Sequence, residues 1–214
     1  MKHLYLFSGL GADQRAFKNL DFTGYQTHFI EWMPPTREES MESYAQRLIS
    51  QIKEPDPVFI GVSFGGMMAV EVARLINTQK IIIISSAKTK SEIPFYYKLT
   101  GVSKLNRAIN ANLFSKMNGV NYFMFGVKEE HEKKLLNEII RDTDPGFLNW
   151  ATDKIIHWKN QTLHSNLLHL HGTSDKILPF RFVKDVIAVP GGEHFMIVSK
   201  GKEISALIRK ELAR

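Results

Sequence analysis

The sequence predicts an α/β fold: a mostly parallel, doubly wound sheet of about six strands that carries a helical insertion. Three observations predict it. Short apolar runs alternate with helix-length segments, which is the rhythm of βα units feeding a parallel sheet. One run, Ile81-Ile-Ile-Ile84, is apolar at every position, as a strand covered on both faces must be. Between about Ala87 and Gln161 the rhythm breaks, and aromatic and methionine side chains take over.

In chain order, strands are expected at His3–Ser8, Gln26–Glu31, Pro57–Val62, Lys80–Ser85, Asn166–His171 and Asp185–Pro190. Helices are expected near Asp13–Lys18, Glu39–Lys53, Phe64–Asn77 and Ile197–Leu212; in the last, Ile204, Leu207 and Ile208 share one helical face. The intervening stretch holds Phe95, Tyr96, Tyr97, Phe114, Met117, Tyr122, Phe123, Met124, Phe125, Trp150 and Trp158. It also holds Lys128–Arg141, where Leu135, Leu136, Ile139 and Ile140 recur at amphipathic spacing. A structureless loop of roughly 70 residues is improbable inside a compact domain. The expected division is a core of residues 1–86 and 162–214 with a helical cap over 87–161; extra helices that simply extend the core are the alternative.

Composition narrows the function classes. The chain is 43% apolar and 23% charged, which removes disordered and fibrous classes. With no cysteine there is no disulfide framework, thiolate nucleophile or cysteine-based metal site, consistent with a cytoplasmic location. Leu4-Tyr-Leu-Phe7 is too short for a signal-peptide core, and no apolar run approaches the ~18 residues of a membrane span. The formal charge of +6 is spread among acids, as in Lys128-Glu-Glu-His-Glu-Lys-Lys134, so neither nucleic acid nor membrane is an expected partner. A small-molecule substrate is.

The chemistry concentrates in Gly61-Val-Ser-Phe-Gly65, between an expected strand and an apolar helix. A serine on such a turn projects its hydroxyl only from a strained backbone, and neighbours two positions away crowd it, so glycine belongs at 61 and 65. The alternative is a glycine-rich turn whose serine merely caps the helix. A nucleophilic serine needs a base, itself oriented by a third group. Asp175 follows the fifth expected strand, and His194 follows the sixth in Gly191-Gly-Glu-His194. Both therefore fall where open α/β sheets carry their active groups. Asp144 and Asp153 lie in the insertion and rank below Asp175. An oxyanion hole needs two backbone donors: the N–H of Phe64 and, from the Ser8-Gly-Leu-Gly11 loop, the N–H of Leu10. His169 and His171 alternate on one strand, but no third ligand has metal-site spacing, so His171 is read as a hydrogen-bonding support below the acid loop. No metal and no cofactor is expected.

Together these motifs, with His171-Gly-Thr-Ser-Asp175 and Gly191-Gly-Glu-His194-Phe, resemble the α/β-hydrolase family, most closely its small lid-bearing esterases. The resemblance spans nearly the whole chain. It implies a Ser63–Asp175–His194 triad, an oxyanion hole at Leu10 and Phe64, elbow glycines at Gly61 and Gly65, and cleavage of a small, moderately apolar carboxylic ester. Thioester or C–C bond cleavage, lyase chemistry, or a ligand-binding role with a slow triad are the alternatives on the same fold. Two departures stand out: Ser8-Gly9 replaces the family's common His-Gly, and the chain starts at what looks like the family's third strand. A homodimer covering that edge is the protein partner considered. A dinucleotide-binding reading of Gly9-x-Gly11 with Glu31 fails at Gln14, where the third glycine belongs, and leaves Ser63, Asp175 and His194 unexplained.

Overall fold

The computed structural model of the chain describes residues 2–97 and 119–213. Six strands form one all-parallel sheet: β1 (His3–Phe7), β2 (Gln26–Phe29), β3 (Val58–Val62), β4 (Lys80–Ile84), β5 (Leu167–Gly172) and β6 (Ile187–Val189), in the spatial order β2-β1-β3-β4-β5-β6. The order reverses between β1 and β3, so a crevice opens beyond their carboxyl ends.

Strand periodicity sorts the core into two layers. Tyr5, Phe7, Phe59, Ile81 and Ile83 face one side, where α1 (Met41–Leu48) and α2 (Phe64–Ala73) pack. Leu4, Leu6, Ile60, Ile82 and Ile84 face the other, against α6 (Met196–Ser199) and α7 (Gly201–Leu212). All four isoleucines of β4 are fully buried, each worth about 1.5–3 kcal/mol relative to exposure. The Ser40 hydroxyl starts α1 by accepting from the Ser43 N–H (3.1 Å).

All four expected helices differ in extent: α1 ends at Leu48 and gives way to a 3₁₀ turn, α2 ends at Ala73, and two others differ in kind. Residues 13–18 form only a tight 3₁₀ turn at Gln14–Phe17, because Asp13 caps Arg15 rather than a longer helix. The C-terminal helix is broken at Lys200, where Gly201 abuts Asn19 so closely that a Cβ would lie 2.4 Å from its carbonyl oxygen.

In the stretch that interrupts the βα rhythm, α3 (Gly119–Phe125), α4 (Glu130–Asp142) and α5 (Pro145–Ile156) are helical; Phe114 and Met117 lie outside the described residues. The aromatic side chains of α5 pack inward. Phe147 lies 5.6 Å from Trp32 between ring centroids, and Trp150 lies 4.5 Å from Tyr44. Leu135 and Ile139 of α4 join the opposite core layer. Among the described residues, no helix is long and apolar enough to cross a membrane.

Candidate active site

Ser63 terminates β3 and begins α2. Its φ of 52° and ψ of −122° put it in a region that L-residues avoid. The surroundings hold it there: the Ser63 N–H donates to Ile84 C=O (2.9 Å), and the Ser86 hydroxyl donates to Ser63 C=O (2.6 Å). The flanking glycines are sterically obligatory. A Cβ at Gly61 would sit 2.5 Å from Gly66 Cα, and one at Gly65 would sit 2.1 Å from Ser8 C=O. The Ser63 side chain makes no capping bond to α2. Its Oγ instead meets His194 Nε2 at 3.0 Å.

The Asp175 and His194 loops are laced back to back. A Cβ on Gly172 would lie 2.2 Å from Gly192 C=O, and the Ser174 N–H donates to that same carbonyl (2.9 Å). His194 Nδ1 lies 2.8 Å from Asp175 Oδ2, while Asp175 Oδ1 accepts from the N–H groups of Ile177 (2.9 Å) and Leu178 (2.8 Å). A carboxylate can only accept, so Nδ1 carries the proton and Nε2 is left to accept from the serine hydroxyl. Burial alone would raise the Asp175 pKa. The charge and hydrogen bond of His194, with the Leu178 N–H, outweigh burial and hold it below the ordinary carboxylate value.

Beneath the acid loop, His171 Nε2 bonds Leu178 C=O (2.7 Å) and His169 Nε2 lies 3.1 Å from His171 Nδ1. The carbonyl must accept, so His171 Nε2 carries a proton; with both rings kept neutral by burial, His171 Nδ1 accepts from His169 Nε2. Burial lowers the proton affinity of each, most strongly at His169. The unfolded chain therefore takes up protons first as pH drops through 6.5, and stability is lost below that value. The urea midpoint should fall between pH 7.5 and 5.5; a flat or rising midpoint would contradict a neutral buried pair. Among the described residues, no three His, Cys, Asp or Glu side chains cluster as a metal site needs.

Across the crevice, Gly9 lies against the serine, its notional Cβ 3.7 Å from Ser63 Cβ. The loop is tied down by Ser8, whose Oγ donates to Ala12 C=O and accepts from Trp32 Nε1 (2.9 Å). The Phe64 N–H belongs to the first turn of α2 and has no intrahelical acceptor. A cleft of about 470 Å³ opens beside this loop, lined in part by Ser8, Gly11, Trp32, Thr143 and Phe147; Ser63 is not among its lining residues.

His194 is also gripped from the insertion. The Phe195 N–H donates to Phe125 C=O (3.0 Å), and the Phe125 ring stands edge-on to His194 at 5.9 Å. Gly126, at φ 73°, abuts Glu193 so tightly that a Cβ would sit 2.0 Å from Glu193 Cβ. Lys176 bonds Glu193 and lies 4.7 Å from the Phe123 ring centroid. Of the other acids considered, Asp144 caps α5 by accepting from Phe147 N–H (2.7 Å), and Asp153 pairs with Lys154 (3.0 Å). Neither joins Ser63. No spacing in the sequence marks Trp32 or Ser86, and Phe125 reads there only as one of the insertion's aromatics.

No protein-family model and no curated protein matches the chain. Solved structures do. The chain superposes over 99% of its length on 90% of a carboxylesterase from the thaumarchaeon Nitrososphaera gargenis (TM-score 0.71, 15% identity). It also covers 92% of an enol-lactonase from Burkholderia xenovorans LB400 (TM-score 0.70, 14% identity) over its full length. The chain has the α/β-hydrolase fold. An α/β-hydrolase fold does not fix its chemistry. A bromoperoxidase from Bacillus anthracis also matches, over 100% of this chain and 92% of that one (TM-score 0.62, 16% identity). What this α/β-hydrolase fold does here must come from its own side chains.

Proposed function

We propose that the protein is a serine hydrolase that cleaves a small, moderately apolar carboxylic ester through an acyl-enzyme. One observation carries this reading. The strained Ser63 side chain leaves its helix uncapped and meets His194, which in turn meets Asp175, all through hydrogen bonds of 3.0 Å or less. A serine serving only as a helix cap would bond α2.

In this mechanism His194 Nε2 accepts the Ser63 proton as Oγ attacks the ester carbonyl carbon. The N–H groups of Leu10 and Phe64 hold the oxyanion. Protonated His194, steadied by Asp175, gives its proton to the departing alcohol. Water then repeats the cycle on the acyl-serine, releasing the acid and restoring Ser63. Helices α3, α4 and α5 act as the cap, and the aromatic rings they carry favour an apolar acyl or alcohol group. Structural similarity to a carboxylesterase and an enol-lactonase supports a hydrolase reading.

The test is covalent labelling. A fluorophosphonate probe should modify the intact protein once, at Ser63. Labelling at another residue, or none, would favour a binding protein with an idle relay.

A further inference from the structure

The oxyanion loop is also held from a point more than 130 residues away in the chain. At the corner between α4 and α5, Thr143 Oγ1 lies 2.9 Å from Gly11 C=O and 2.8 Å from Ile139 C=O. Both carbonyls only accept, so the single hydroxyl proton is shared between them. The fit is steric as well as polar. Gly11 has φ 66°, and the Cβ it lacks would lie 2.2 Å from Thr143 Cγ2. The threonine methyl thus fills a notch that only glycine leaves. Alongside, Arg15 bridges the two segments, its Nη2 lying 2.7 Å from Asp13 Oδ2 and 2.9 Å from Asp142 Oδ2.

We propose that Thr143 is a positioning residue for the oxyanion hole: by holding the Gly11 carbonyl, it fixes the turn that presents the Leu10 N–H. The proposal rests on the serine-hydrolase reading above. Orientation of a backbone donor affects the rate because the donor must point where charge develops, not where the neutral carbonyl oxygen lies. A slack turn still lets substrate bind, and it costs transition-state stabilisation.

The experiment compares Thr143→Val, which keeps the shape and removes the hydroxyl, with Thr143→Ser, which keeps the hydroxyl. Each is measured for ester turnover and for affinity toward an alkylboronic acid. In that probe boron accepts the Ser63 Oγ lone pair, His194 takes the proton, and a tetrahedral anion enters the hole. Thr143→Val should lower kcat about ten-fold or more, with KM changed less than about three-fold, since small misplacements of reacting groups carry rate penalties of this size. Boronate affinity should weaken in step, and Thr143→Ser should restore both. Unchanged kcat in Thr143→Val, an equal loss in Thr143→Ser, or a kcat loss without a boronate loss would overturn the proposal. Failure of Thr143→Val to fold while Thr143→Ser retains full kcat and boronate affinity would overturn it too, by assigning the hydroxyl to stability. If the parent protein itself shows no Ser63-dependent turnover, the serine-hydrolase reading falls, and this proposal with it.

Discussion

Replacing Ser63 with alanine is expected to lower turnover of a short nitrophenyl ester by about 10⁴-fold or more, as deletion of a nucleophile does when base and acid cannot act without it. The fold should survive the change. The Ser63 hydroxyl caps nothing, and the left-handed backbone is held by the Ser63 N–H and C=O groups, which alanine retains. Its cost to stability is the hydrogen bond to His194, about 0.5–1.5 kcal/mol. Activity and unfolding midpoint thus separate: the first collapses while the second falls by only a few degrees. A folded variant that keeps its turnover would remove Ser63 from the chemistry altogether.

The second large effect is at Asp175. An asparagine there keeps the volume but turns one acceptor oxygen into an NH₂ donor. The loop N–H groups of Ile177 and Leu178 claim the remaining carbonyl oxygen, which points the NH₂ at His194 Nδ1. His194 then protonates on Nε2 and cannot accept from Ser63, a tautomer error expected to cost about 10⁴ in kcat. Asp153→Asn offers the contrast, because that carboxylate is half-exposed and pairs with Lys154 and His157 on one helix. Steady-state kinetics on both variants should show the first crippled and the second unchanged. The opposite pattern would move the acid to Asp153.

The sheet was legible because its signal is local. Apolar runs mark β3 and β4, and Ile81–Ile84 is unbroken. Gly61 and Gly65 were legible for a related reason, since close backbone approach leaves a residue-type signature. Asp175 and His194 were reached through chain order and the position of the strands they follow. What the sequence hid depends on contacts with no local trace. Trp32 reaches Ser8 and Thr143 reaches Gly11 only after the chain has closed on itself. The insertion's aromatics, Trp150 among them, point to a covering layer, yet a bulky ring reads the same whether it lines a cavity or packs on Tyr44. The short turn at Gln14–Phe17 was misjudged because periodicity over four residues cannot tell a 3₁₀ turn from the start of an α-helix.

The interlock of Gly126, Phe125 and Lys176 with the 193–195 loop matters to anyone who would redesign this scaffold. Residues 119–127 and 190–196 form a single exchange unit, although some 60 positions separate them. A graft that brings any larger residue to position 126 would displace Glu193, and the displaced backbone carries His194. Libraries that randomise α3 to broaden substrate scope should therefore vary position 193 in the same pool. Otherwise, clones with a better-shaped entrance will be discarded for a misplaced imidazole.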